Sequence, residues 1–205
     1  MIRKIVSWEA HPLKDDLFKL QILPIFAGLD IGRFRHPSHL AVIVPEGIKG
    51  EGCHRWVQVA SMWLDQEPYQ IQIQAIEELL RSFSGKRCTI YYDATRGELE
   101  ALREQRLLPA GWRGVKLTAE NKPVMAGRLL LALEQGHLKL LPDERQKRSL
   151  LQVNALLQAE EARGEHGEAL TSLMIALEAA RSHGWSMLDE FIEPEITTIY
   201  LGHAR

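Results

Sequence analysis

The chain has 205 residues, 45% of them hydrophobic and 25% charged, with a formal net charge of -2. That length suits one large domain or one domain with appendages, and the composition excludes a disordered or fibrous chain. A near-neutral balance excludes a uniformly basic nucleic-acid binder, although a local basic rim around an acidic site stays compatible with it.

Two cysteines, Cys53 and Cys88, stand far apart. A structural zinc site needs about four ligands at short spacings, so none is expected, and free thiols suit a reducing cytoplasm. No apolar run approaches the roughly 20 residues that span a membrane, and charge comes too early at the N-terminus for a signal peptide. A soluble intracellular protein with no membrane partner is expected.

Residues 1–23 read as a linker or docking segment. From there the pattern sharpens. Ile25 to Asp30 reads as a short buried strand ending in an acid, and a turn follows from Gly32 to Ser38. Leu40 to Val44 is a second strand, expected to break at Pro45 and a Gly-rich turn ending at Gly52. Arg55 to Trp63 alternates as a third strand. Three strands on short turns imply an antiparallel meander.

A helix over Tyr69–Phe83 aligns Ile73, Ile76, Leu79, Leu80 and Phe83 on one face, and Ser84-Gly85 stops it. Cys88 to Tyr92 is β-branched and aromatic, hence a strand, and it too ends in an acid, Asp93. Then come a helix over Gly97–Gln105, a strand over Val115–Thr118, and an amphipathic helix over Lys122–Gln135. An extended piece over Leu138–Pro142 precedes Asp143, the expected N-cap of a helix reaching Arg163. After Gly164 a last long helix starts at Glu168 and runs to Ser182. The order β-β-β-α-β-α-β-α-(β)-α-α predicts a mixed central sheet, an antiparallel meander plus parallel strands, flanked by helices. The domain is expected over residues 24–184, with 185–205 a tail.

Three acids occupy special places. Asp30 closes the first strand, Asp93 the fourth, and Glu168 opens the last helix. Ligands of α/β sheets bind beyond the carboxyl ends of strands, so neighbouring first and fourth strands would bring these carboxylates together. Taken singly, each acid also reads as a turn residue, a cap or a partner of the helix dipole. Three carboxylates in one crevice repel each other by about 4 kcal/mol per pair at ~4 Å and an effective dielectric near 20. Cations relieve that repulsion, and hard oxygen ligands suit Mg²⁺ or Mn²⁺. Two such ions activate water and stabilise the leaving oxygen of a phosphodiester.

The stretches FAGLDIGR and HLAVIV, then TIYYDATRGE, then HGEALTSLMIALEAAR, resemble the nuclease domain of phage large terminase subunits, above all the Mu-like prophage branch. VKLTAENKPVMAGRLLLALEQGHLKLLPD is similar to that family's connecting region. The resemblance runs from about Gly28 to Arg181. It implies an RNase-H-like fold and a two-metal endodeoxyribonuclease, with Asp30, Asp93 and Glu168 as catalytic metal ligands for two Mg²⁺ or Mn²⁺ ions. It also implies double-stranded DNA as substrate, cut as concatemer or linear duplex. The implied partners are a separate packaging ATPase, a small terminase subunit and a portal, in the cytoplasm of a host cell. Three positions depart from the pattern: Glu168 where the family has Asp, Arg96 where it has glycine, and His39 where it often has an acid. No GxxxxGK[ST] loop occurs, so a nuclease domain separate from the packaging ATPase is expected.

His166, Glu165 and Glu98 are candidate supporting residues, each also readable as a turn, loop or helix-end residue. Arg33, Arg35, Arg96 and Lys122 are candidate DNA-phosphate contacts. The tryptophans show no spacing for base stacking and read as core or interface anchors. Alternatives stay open. Sugar-kinase and actin-like ATPases share the core and its DIG turn, but here Arg33 and Phe34 stand where they carry phosphate-binding Thr or Ser. A resolvase-like nuclease would use nearly the same chemistry, and a catalytically inactive domain would serve as a binding or assembly module.

Overall fold

The alternating and apolar runs assemble into one mixed sheet in the computed structural model, which describes residues 5–6, 23–32, 36–48, 52–83, 88–152 and 167–185. Its strands are β1 (Ile5–Val6), β2 (Ile25–Asp30), β3 (Ser38–Ile48), β4 (Gly52–Leu64), β5 (Cys88–Asp93), β6 (Arg113–Val115) and β7 (Leu138–Lys139). The helices are α1 (Tyr69–Ser82), α2 (Glu98–Glu104), α3 (Asn121–Glu134), α4 (Glu144–Leu151) and α5 (Glu168–Arg181).

The sheet order is β1-β4-β3-β2-β5-β6, and β7 also pairs with β4. β2, β3 and β4 form the expected antiparallel meander, while β5 and β6 join it in parallel. This is the mixed sheet of an RNase-H-like fold. Ile5 and Val6, within the stretch read as linker or docking segment, pair with Met62 and Ser61 along β4.

Successive residues of a strand point to opposite faces, so the central strands bury both sides and read as continuous apolar runs. Ala27, Leu29 and Val42 meet Ile73, Ile76 and Leu79 of α1 and Leu99 of α2. Phe26, Ala41, Ile43 and Tyr91 meet Met125 and Leu129 of α3 and Leu173 and Ala176 of α5. α5 is buried on nearly every side, which its Ala-, Ser- and Leu-rich sequence permits.

A bulge interrupts the β3–β4 register: Val42 pairs with Ala60 but Ile43 pairs with Gln58. Val59 and Ala60 therefore both enter the α1 layer, while Gln58 and Ser61 lie on the opposite face. Trp56, Trp63, Trp112 and Trp185 are all buried, as anchors of the core.

Three expected boundaries are corrected. β3 does not break at Pro45, which pairs with Trp56 inside the strand. The β2 ladder ends at Ile43, so among the described residues β3 is bonded on one side only beyond it, an edge position where proline is tolerated. β6 ends at Val115, earlier than expected, because Thr118 is drawn into a reciprocal pair with Asn121 at the head of α3. β7 ends at Lys139 rather than Pro142. Asp143 does cap α4, accepting from the amides of Arg145 and Gln146. The stretch from 153 to 163, read as the rest of that helix, lies outside the described residues. No helix among the described residues is long and apolar enough to cross a membrane.

Candidate active site

β2 and β5 are parallel neighbours in register, Leu29 opposite Tyr92. Asp30 and Asp93, each the next residue, therefore leave the sheet side by side at its carboxyl edge. α5 packs across the same face, and its first residue is Glu168. All three acids line one cleft of about 250 Å³, together with Ile31, Gly32, His36, Pro37, Thr95, Arg96, Leu117, Lys122 and Thr171.

The Asp30 carboxyl carries the mark of this crowding. Burial first, then the charges of Asp93 and Glu168, push its pKa from 3.8 up to about 8. The Arg96 guanidinium and a hydrogen bond from Thr171 oppose the rise. Thr171 lies three residues beyond Glu168, and the helical period puts both on one side of α5.

Asp93 is fixed differently. Its Oδ1 accepts the Thr95 amide at 2.8 Å, an Asx turn that follows from Asp at a strand end. The Thr95 hydroxyl accepts the Leu117 amide at 2.9 Å, and the Ala94 amide bonds the Val115 carbonyl. The second motif is thus tied to the segment leading into α3, which brings Lys122 to the cleft.

Among the described residues, no three His, Cys, Asp or Glu side chains form a ready-made metal-binding group. Asp30, Asp93 and Glu168 share the cleft without closing on one point.

Of the supporting residues read from sequence, Arg96 and Lys122 line the cleft and Glu98 does not; it opens α2. Arg33, Arg35, Glu165 and His166 lie outside the described residues. Sequence reasoning missed Thr171 and Thr95. The first was within reach, one turn from Glu168 on the same helix side. The second needed the pairing of β5 with β6 before its bond to Leu117 made sense.

No family model matches the chain, and no curated protein matches it in sequence. Solved structures do match in shape. The large terminase nuclease from thermophilic phage G20c with bound magnesium aligns at a TM-score of 0.56 and 18% identity, over 77% of this chain and 82% of that one. The same nuclease with bound zinc gives 0.57 at 14% identity, over 77% and 81%. The large terminase nuclease domain of Thermus phage P74-26 gives 0.57 at 16% identity, over 80% and 84%. The chain has the fold of a large terminase nuclease domain. At these identities the likeness belongs to the backbone, so the role of each side chain rests on the cleft itself.

Proposed function

We propose that the chain is a divalent-metal-dependent endodeoxyribonuclease module of the terminase kind, hydrolysing phosphodiesters of duplex DNA. The observation that carries this reading is the meeting of Asp30, Asp93 and Glu168, from three separate elements, in one cleft that also holds Arg96 and Lys122. Metal-bound structures of fold neighbours support it.

The donor set fits a hard divalent cation. Carboxylate oxygens predominate, and the lift of the Asp30 carboxyl by its two neighbours is the mutual repulsion that a cation would relieve. Asp30, Asp93 and Glu168 would hold Mg²⁺ or Mn²⁺, two ions in this reading. When bound, such ions supply an activated water and stabilise the leaving oxygen.

The protein's own groups do the rest. The Thr95 amide fixes one oxygen of Asp93, and Thr171 orients Asp30. Arg96 and Lys122 counter the charge of the phosphodiester as it enters the cleft. Nothing in the sequence resembles a base-reading element, so weakly sequence-specific cutting is expected. A packaging ATPase, a small terminase subunit and a portal are the partners this reading implies, in a host cytoplasm.

Supercoiled plasmid incubated with the protein and Mn²⁺ or Mg²⁺ tests it. Nicking should appear with metal and vanish with EDTA and in Asp93→Ala. Intact plasmid under both metals, with wild-type protein folded, would sink the reading.

A second reading rests on Arg96. Its charge already opposes the lift of Asp30, supplying part of what a metal ion would. On that reading the domain binds or assembles without cutting, and Arg96→Gly would restore nicking to an inert wild type.

A further inference from the structure

His39 stands directly opposite Asp30 in the β2–β3 register, fully buried, where it touches none of the cleft. Its Nδ1 lies 2.5 Å from the Ser172 hydroxyl on α5, and its Nε2 lies 2.9 Å from the Ser61 hydroxyl on β4. Ser61 in turn donates to Asp143 Oδ2 at 2.8 Å, and Trp63 Nε1 donates to the same oxygen at 2.9 Å.

The direction of every bond in this chain follows from hydrogen counting. Asp143 only accepts, so the single hydrogen of Ser61 is spent on it. Ser61 must then accept from His39 Nε2–H. Burial keeps the ring neutral, which leaves Nδ1 as an acceptor, and Ser172 donates its single hydrogen to it at 2.5 Å, in competition with the Ala169 carbonyl at 3.1 Å. One ordered chain thus links the N-cap of α4 to the second turn of α5. A second tie reinforces it, from the Ala169 amide to the Ser149 hydroxyl of α4 at 3.4 Å.

The two ties grip α5 at Ala169 and Ser172. The residues one position earlier, Glu168 and Thr171, line the cleft. Held residues and working residues therefore alternate on two sides of the same turns. A helix gripped at one side cannot rotate about its axis without moving the other.

We propose that the buried chain Asp143–Ser61–His39–Ser172 is a positioning device for the carboxylate cleft, fixing the rotation of α5 so that Glu168 and Thr171 face Asp30. His39 and Ser172 are its positioning residues and touch no substrate. The proposal rests on the metal-site reading above. It also absorbs a departure from the family pattern: the histidine of β3 works behind the site, not in it.

Ser172→Ala removes the tie to His39, leaving the weaker one at Ala169, while keeping a good helix former, and all measurements use the full chain. Removing an outer-shell partner typically lowers metal affinity by about 10- to 100-fold, so Mn²⁺ binding followed by electron paramagnetic resonance should weaken by at least about tenfold. In Glu168→Ala, which lacks the main carboxylate being aimed, Ser172→Ala should weaken Mn²⁺ much less, leaving only its effect through Thr171 on Asp30. A merely structural role would lower affinity in both backgrounds alike. Without metal, amide hydrogen exchange over the first two turns of α5 should speed up in Ser172→Ala while exchange in α1 stays unchanged. Unchanged exchange in α5, or equal Mn²⁺ loss with and without Glu168, would overturn the proposal. Wild-type protein that binds no Mn²⁺ would overturn the metal-site reading, and the exchange result would still decide whether the chain holds α5.

Discussion

A Cβ placed on Gly28 would lie 2.0 Å from the carbonyl oxygen of Ser172. It would also lie 2.4 Å from the amide nitrogen of Ala176. Both neighbours are backbone, so no side chain can swing away to make room. α5 packs so close to β2 here that only a residue without a Cβ fits, and this contact delivers Glu168 to the sheet edge that carries Asp30. Gly28→Ala should cost at or beyond the top of the usual range of about 1–3 kcal/mol for overpacking. Urea unfolding would measure it, and a variant as stable as wild type would show that α5 does not sit so close.

Arg96 should limit how tightly the cleft binds cations. It is exposed, so solvent screens its field and the effect is small. Arg96→Gly should tighten Mn²⁺ binding by a few-fold and raise the KM for DNA, since the same charge attracts phosphate. Calorimetry with Mn²⁺ and a DNA titration separate the two effects. Tighter DNA binding in the variant would refute the phosphate role.

In the absence of metal, stability should stay nearly level from about pH 4 to 6.5 and fall from 6.5 to 8. Asp30 has a raised pKa, about 8 against 3.8, so the stability it contributes is present at low pH and is lost as pH rises through 8. His39 has a lowered pKa, about 3 against 6.5, chiefly from burial and also from Arg145, with Asp143 opposing. The unfolded chain therefore binds its proton first, and stability is lost as pH falls below 6.5. From about 4 to 6.5 the two effects oppose each other; from 6.5 to 8 only Asp30 acts. Thermal melts from pH 6.5 to 8 should fall in wild type and stay flat in Asp30→Asn. Added Mn²⁺ should also flatten the wild-type trend.

Asp143 guards the acid side. Burial raises its carboxyl pKa, but bonds from Ser61, Trp63 and the amides of Gln146 and Arg145 outweigh burial, and the pKa ends below 3.8. Asp143→Asn keeps a cap but loses the charge that orders Ser61 and His39. It should unfold at lower urea than wild type at pH 7, and the gap should shrink below pH 4, where both capping groups are neutral once the wild-type carboxyl is protonated.

Much of this was legible in the residues. The meander showed in Ile25–Asp30, Leu40–Val44 and Arg55–Trp63 because buried strands leave apolar runs between turn residues. Asp30, Asp93 and Glu168 showed because each marks the end or start of an element, and the joint pattern outweighed each acid alone. What stayed hidden depends on contacts distant in sequence. Pro45 looked like a breaker because nothing local shows that β2 stops short of it. Thr118 looked like strand because its pairing with Asn121 competes with the ladder. His39 looked like a flaw in a family pattern, since its partners Ser61 and Ser172 are 22 and 133 residues away.

The bulge at Val59 acts as a spacer that sets phase along β4. Downstream of it, Ser61 and Trp63 turn toward His39 and Asp143; with one residue fewer, both would turn toward the apolar layer under α1, and the methionine and leucine between and beyond them would turn toward the polar chain. Deleting Val59 would therefore behave as a frameshift in space, leaving the composition of the strand almost intact while exchanging the addresses of all its later side chains.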